Sequence, residues 1–594
     1  MPTNAGGGLT HSADSDLAPP ALAASQRPSS APPSPSPAPD PASSDPAPSH
    51  PGPAAGIARG AALIAGLTVL SRMLGLVRTL VFSQTIGAGC LGTAYVTANQ
   101  VPNLIYELVL GGALTSAMIP VLARPAERAG SDPAQKALVA QISSALMTWS
   151  VIILVPLTLI ITAAARPIAV LLNPANANSQ CIHADVVNAT GNMVQVFAPQ
   201  ALLYGLSVVL YGLLQAYRRF TAPAIGPAIS SLIVIAAYFA FVPLDKGLPL
   251  ARLPLSAELV LSVGTTLGVA GLVLVALVPT WRLHLKVKPA LRFPSGVARR
   301  AGGLAMVGII EIILNDVSTI AVIRLANGRG ETGALVLFNY AWQVYSSVFA
   351  VLAMSITIST FPVLSARDGP VFDRTCAGST RAVLLMSWLG TALIAAIAVP
   401  TAHVLAKQPD QVPELIEGFA LFAPGVAGIA VITNLSRVMF ALGRLKVATA
   451  ALAGSWLLVI AADVVLAELA PAHLVVAALA LGNTIGQTVV AIPLVIVTRR
   501  IRGKAALEGV GHATLAGLAA CAAGVAVGVA VSLVVPLHGR LLAAGVAVVA
   551  AGGAVIAFGV VAYLLDAGDA KTVLARLRRA ARRRPQTPQP PAAP

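Results

Sequence analysis

Three charged residues stand in or beside two strongly apolar runs near the start of this chain: Arg72, Arg78 and Glu107, within the stretch 67–124. A charge at bilayer depth costs at least a few kcal/mol, so it marks a functional site by default. Guanidinium groups bind phosphate bidentately and stay charged when partly desolvated. The chemistry these types offer is a pyrophosphate clamp. Arg72 and Arg78 are separated on a straight helix by about 120°. They share one cavity only if it wraps the helix, or if the helix bends near Gly75. Ser71, Gly75, Arg78 and Phe82 form a helical stripe, and Gly111 and Gly112 loosen the second run. Irregular backbone at membrane depth is tolerated where it lines a cavity. Two structural readings compete: an Arg78–Glu107 pair, or an arginine reaching to the interface. The residues point to a carrier of a phosphate-bearing lipid or of a small molecule.

Further polar groups sit in other apolar runs. Asn99, Gln100 and Asn103 are placed to bind sugar or peptide groups, or to cap a broken helix. Glu311, Asn315 and Ser318 lie on one helical stripe with Asp316 beside it. They are candidates for a counter-ion or coupling site, against an interhelical network worth only about 0.6–2 kcal/mol per contact. Arg437, near the end of its run, is a candidate substrate or gating contact, and Arg324 reads as interfacial.

The elements that must position these groups follow from composition. Of 594 residues, 56% are hydrophobic and 10% are charged, against about 25% charged in a soluble protein. The chain reads as an all-α polytopic membrane protein. About fourteen runs of spanning length recur from Ile57 onward. Alternate connections carry the basic residues: Arg124/Arg128/Lys136, Arg218/Arg219, Arg282 to Arg300, Arg367/Arg374/Arg381, Arg444/Lys446 and Arg499 to Lys504. The positive-inside rule places these, and both termini, in the cytoplasm. The tail Lys571–Arg584 then reads as an anchor on anionic lipid, and nucleic-acid binding is disfavoured despite a net charge of +16.

Residues 1–56, rich in Pro, Ala and Ser, read as a disordered cytoplasmic tail without signal-peptide features. The four cysteines lack metal spacing and read as ordinary buried thiols. The histidines form no metal motif, and no phosphate-loop fingerprint supports ATP-driven transport. No metal and no cofactor is expected.

An internal repeat is visible. Ala98–Leu122 resembles Ala341–Leu364, and Gly212–Pro223 echoes Val438–Ala448. The spacing is near six helices, so the repeat is parallel, about an axis along the membrane normal. The expected plan is a first lobe over 57–282 (helices 1–6) and a second over 283–504 (helices 7–12). A helix pair over 505–566 and a basic, Pro-rich cytoplasmic tail over 567–594 follow.

The motifs SRMLGLVR, VPNLIYELVLGGALTSAMIPVL and LQAYRRFTAPAIGP, with the Ile86–Gly89 turn and RVMFAL at Arg437–Leu442, resemble the MurJ/MviN lipid II flippase family, especially its actinobacterial members. The resemblance runs from about Gly60 to Arg500. It implies two lobes around a cationic cavity, a last helix pair forming a lipid-tail groove, and no enzymatic step. It also implies transfer of an undecaprenyl-pyrophosphate-linked peptidoglycan precursor, lipid II, to the outer leaflet of the bacterial cytoplasmic membrane by alternating access. The implied partners are lipid II, membrane lipids and cell-wall synthesis proteins, around a monomer. The sequence departs from the family pattern at Thr93, at Tyr106 and Glu107, and at Trp342 and Gln343, where many members carry acidic or basic residues.

Other functions compete. A polysaccharide-lipid flippase or multidrug exporter of the same superfamily shares the architecture; cavity arginines disfavour a cationic drug. A membrane glycosyltransferase needs an acidic motif at an outer loop, and the longest, 166–188, offers only Asp185. A non-transporting cell-wall scaffold would leave the buried charges without purpose.

Overall fold

The computed structural model describes residues 53–108, 122, 125–129, 132–285, 288–291, 297–537 and 539–565, with side chains from 66 onward and outside 297–308. Residues 53–56 of the expected first tail are helical, correcting its boundary; the rest of both tails, Gly111, Gly112, Arg124, Arg292 and the basic stretch Lys571–Arg584 lie outside them, as do the side chains of Arg299 and Arg300. Within the unit Arg59–Pro594 every described regular element is helical. That is what a bilayer demands of a chain that is not a closed barrel, because each backbone polar group must be paired within its own segment.

The helices are α1 (Pro53–Thr85), α2 (Cys90–Leu108), α3 (Pro133–Ala163), α4 (His183–Phe197 and Gln200–Ala216), α5 (Thr221–Asp245), α6 (Leu255–Trp281) and α7 (Val297–Arg329). Then come α8 (Ala334–Phe349 and Ser355–Ala366), α9 (Gly369–Leu405), α10 (Gln411–Phe422 and Gly425–Ala441), α11 (Leu445–Leu469), α12 (Val475–Arg502), α13 (Val510–Val534) and α14 (Arg540–Leu565). Among the described residues, twelve spans are long and apolar enough to cross a membrane. The other two of the expected total, α2 and α7, do not reach that mark among the described residues. The described part of α2 stops at Leu108, and α7 carries Glu311, Asp316 and Arg324.

Large apolar side chains turned outward, such as Leu159, Leu274, Val548 and Leu564, form the lipid-facing surface of a multi-pass membrane protein. Inside, small residues set the contacts. A side chain at Gly264 or Gly268 of α6 would strike Ala237 or Val234 of α5. At Gly482 or Gly486 of α12 it would strike Asp463 or Val459 of α11. Two helix pairs thus close through glycines one turn apart, as small residues allow in membranes.

The repeat read from the sequence has an element-by-element counterpart. α4 breaks at Ala198–Pro199 and α10 at Ala423–Pro424, and each break is followed by 17 helical residues. α5 and α11 are both 25 residues long. Each is preceded by one left-handed residue, Arg218 (φ 56°) in one half and Gly443 (φ 69°) in the other. Corresponding positions lie about 225 residues apart. The pair α13–α14 packs on α9.

The ends of the bundle differ. At one end lie the basic connections; there Asp132 caps α3 through Ala134 N at 2.8 Å ahead of Pro133, and Arg502 pairs with Asp373 at 2.9 Å over the Phe372 ring. The opposite rim contains a disulfide between Cys90 and Cys181, so the expectation of free thiols is corrected there. Both cysteines, Cys90 at the start of α2 and Cys181 in the strap, lie at the end that the charge pattern puts outside the cytoplasm, where disulfides persist. Cys376 and Cys521 are buried free thiols, as expected.

Candidate functional site

α1 carries both clamp candidates. It runs as one helix through Gly75, where Gly75 O accepts from Thr79 Oγ1 at 3.2 Å. Among the described residues, no atom outside the helix's own nearby backbone comes within 4 Å of where a Gly75 side chain would begin. That glycine keeps space open rather than allowing a close contact. Arg72 is exposed, while Arg78 and Ser71 are half-buried. Around them Val69, Leu70, Met73 and Val77 are also exposed, so the basic-end half of α1 borders open space.

Neither arginine forms an ion pair among the described residues. The alternative of an Arg78–Glu107 pair is not realised, because Glu107 Oε2 accepts from Asn315 Nδ2 at 2.6 Å. The Arg78 charge instead lies within electrostatic reach of the hydroxyls of Tyr95, Tyr204 and Tyr238.

Past Arg78 the helix closes. Phe82 is 5% exposed and meets Tyr95 and Tyr238 at 5.4 Å and Tyr340 of α8 at 6.3 Å, centroid to centroid. The Tyr95 hydroxyl is shared with Tyr238 at 3.0 Å and Thr265 at 2.6 Å. The rings, with the Tyr95 and Tyr238 hydroxyls paired and the Tyr340 hydroxyl buried without a hydrogen-bond partner, make a dry plug.

Above the plug, the rim ties the first six helices to the following ones. Gln84 Nε2 donates to Val404 O (2.7 Å), Lys407 Nζ to Thr85 O (3.0 Å) and Gln411 Nε2 to Ala88 O (3.0 Å). The strap Asn173–Ile182, anchored at its end by Cys181, crosses to the end of α7. Asn176 Nδ2 donates to Asn327 O and Gly330 O, each at 2.8 Å; Asn178 Nδ2 donates to Arg329 O at 3.2 Å. Gln180 N donates to Thr332 Oγ1 at 2.8 Å. The molecule is closed at the disulfide rim.

The remaining candidates separate into two cavities. The first, about 90 Å³, is lined by Gln100, Glu107, Asn315, Ser318, Asp463 and Asn483, among others. Gln100 Nε2 bridges it to Asn339 Oδ1 at 3.1 Å. The second, about 300 Å³, holds Glu311 and Arg437. Glu311 and Asn315 share a stripe but not a cavity; Trp456 borders both. Asp316 lines neither, and its Oδ1 is buried without a partner. Asn103 Oδ1 accepts from Tyr204 OH at 3.2 Å, while Asn99 is half-buried beside it. Arg324 donates to Leu171 O.

Sequence reasoning missed Asp463. It is fully buried on α11, and neither carboxylate oxygen has a hydrogen-bond partner. An acid inside the run LLVIAADVVLAEL was the available signal. No cluster of metal-binding side chains occurs among the described residues.

A family model described as lipid II flippase MurJ matches residues 82–543. A "Probable lipid II flippase MurJ" of Rhizobium tropici is 26% identical over 305 residues, 51% of this chain and 54% of that protein. A "Lipid II flippase MurJ" of Burkholderia cenocepacia is 26% identical over 307 residues, 52% of this chain and 57% of that protein. The chain spans about half the length of the curated relatives it matches. Among solved structures, "Lipid II flippase MurJ, inward closed conformation" has a TM-score of 0.65 at 15% identity, covering 84% of this chain and 98% of that one. An inward-facing multidrug resistance MATE transporter of the MOP superfamily has 0.58 at 12% identity, covering 73% and 95%. These two likenesses bear on the fold.

Proposed function

The chain belongs to the lipid II flippase MurJ family, and from that membership we propose that it moves lipid II from the inner to the outer leaflet of the bacterial cytoplasmic membrane. The observation that carries this reading is the state of Arg72 and Arg78. Both stand unpaired among the described residues on a helix bordering open space, below an aromatic plug. A guanidinium without a carboxylate partner is free to take a phosphate oxygen. The polyprenyl tail stays in lipid while the pyrophosphate–sugar–peptide head needs a polar route.

In this reading the basic end is cytoplasmic and the disulfide rim faces outward. That orientation has support from the loop charges and from the compartment a disulfide requires. Helices 1–6 and 7–12 act as two lobes, with α13–α14 as the tail groove, working as a monomer beside cell-wall synthesis proteins. The head enters from the cytoplasm onto Arg72 and Arg78, with Ser71, Gly75, Asn99 and Asn103 bordering its path. The plug and rim then part while the basic end closes. Glu107, Asn315 and the newly found Asp463 line one cavity and serve as counter-ion or coupling groups. A dianionic head moving past fixed charges couples to the membrane potential by about 2.3 kcal/mol per charge per 100 mV. Equal flipping rates with and without a potential would remove that coupling.

The test is outer-leaflet lipid II in cells depleted of the protein and complemented with wild type or with Arg72→Ala/Arg78→Ala. Restoration by wild type alone is expected. Unchanged exposure on depletion, with no redundant flippase present, overturns the reading.

A further inference from the structure

The 300 Å³ cavity that holds Glu311 and Arg437 lies among the helices following α6 and is lined by α7, α8, α10, α11 and α12. It is separate from the α1 arginines. Two of its polar side chains are almost fully buried yet unsatisfied: Ser436 (1% exposed) at Oγ, and Gln487 (2% exposed) at Nε2. A buried donor without an acceptor costs about 1–3 kcal/mol and demands an explanation.

The charges pose the same question. Glu311 and Arg437 are half-buried and feel each other's field, but they do not close to ion-pair distance. Arg437 Nη2 donates to Met354 Sδ at 3.7 Å. Met354 ends a wide helical turn, Ala350–Met354, that interrupts α8. Such turns occur mostly as single insertions in α-helices, frequently at functional sites. A cation and an anion therefore face one cavity from different helices, with two unmet polar groups beside the cation.

A singly charged ligand would neutralise one wall and leave the other exposed to it. A ligand with a carboxylate and an ammonium satisfies both. A carboxylate offers about four lone-pair sites, enough for the Arg437 guanidinium, Gln487 Nε2 and Ser436 Oγ; the ammonium goes to Glu311. We propose that this cavity is a second subsite that takes a zwitterionic, amino-acid-like group, the end of the peptide carried by the lipid-linked head. The proposal rests on the lipid II reading and deepens it: α1 holds the pyrophosphate, and this subsite checks that the peptide is attached and intact.

The test uses the full chain in nanodiscs and three probes. They are a polyprenyl-pyrophosphate disaccharide bearing a peptide with a free amine and carboxylate, the same lipid without peptide, and the free peptide. Wild type is expected to bind the peptide-bearing lipid at least about tenfold more tightly than the peptide-free lipid. Arg437→Gln and Glu311→Gln should each erase that preference while binding the peptide-free lipid as wild type does, which also reports intact folding. Acetylating the peptide amine should lower wild-type binding and leave Glu311→Gln unaffected. The free peptide should compete only at far higher concentration.

A wild type that prefers neither lipid, or variants that keep the preference, overturn the subsite and leave the flippase reading standing. Variants that lose both lipids equally also overturn it, because the residues then serve the whole head or the fold. Free peptide binding as tightly as the peptide-bearing lipid overturns it in favour of a site for soluble peptide. A wild type that binds no lipid overturns the flippase reading and the subsite with it.

Discussion

Cys90, the first residue of α2, is bonded to Cys181, the residue at which the strap over the rim turns into α4, with Cα atoms 5.6 Å apart. The bond joins positions 91 residues apart in sequence. It fixes the strap to the first group of helices while the strap's asparagines hold the end of α7. The strap is thus covalently part of the α2 side of the rim and hydrogen-bonded to the α7 side.

The bond should be detectable and should matter at the rim. Intact protein is expected to block maleimide at Cys90 and Cys181 until reduced. Cys90→Ser/Cys181→Ser should lower the thermal midpoint and raise labelling of probes placed in the plug. Native disulfides are commonly worth about 2–4 kcal/mol. Full maleimide reactivity of the unreduced wild type would show that the pair is not joined.

Arg72→Ala and Arg78→Ala should each reduce binding of a polyprenyl pyrophosphate at least about tenfold, with little change in thermal midpoint, because neither arginine is paired within the described structure. Lysine at either position should recover part of the loss, keeping charge but not the bidentate geometry. A large drop in midpoint would instead mark a structural role.

Asp463→Asn should leave the thermal midpoint unchanged or raised, since a buried carboxylate with no partner is costly. Flipping measured in vesicles should fall. Gly482→Ala should destabilise by about 1–3 kcal/mol, because its Cβ would lie 2.0 Å from Asp463 Oδ1 and 2.9 Å from Asp463 N. A stable, active Gly482→Ala protein would refute that packing.

The two left-handed turns make a paired prediction. Gly443→Ala should cost about 1–2 kcal/mol for forcing a side chain into that region. Arg218→Gly should relieve a similar strain, offset by loss of the exposed pair with Glu127, which is worth about 0–1 kcal/mol. Midpoints falling for Gly443→Ala and holding or rising for Arg218→Gly are the expected pattern.

What the sequence disclosed was set by period and charge. Spanning runs, alternating basic connections and the echo between Gly212–Pro223 and Val438–Ala448 are local signals, and the helix breaks at Pro199 and Pro424 give them physical form. Arg72 and Arg78 were legible because a charge in an apolar run needs a reason. The Glu107–Asn315 contact joins residues 208 apart, and no local pattern encodes it. The Cys90–Cys181 bond was within reach: both residues fall on the side opposite the basic loops, but their spacing alone names no pair. Asp463 was passed over because a single acid among small apolar residues lacked the partner that drew attention to α7.

The rim has one more property. Its acceptors are mainly main-chain carbonyls, at Thr85, Ala88, Asn327, Arg329, Gly330 and Val404, while the donors are side chains such as Gln84, Asn176, Asn178, Lys407 and Gln411. No substitution can delete a carbonyl oxygen. Loss of a single donor such as Asn176 removes two bonds at once. Mutational sensitivity at this face is therefore concentrated in a few amide side chains, Asn327 among them because its own Nδ2 donates to Thr97, Leu172 and Asn173.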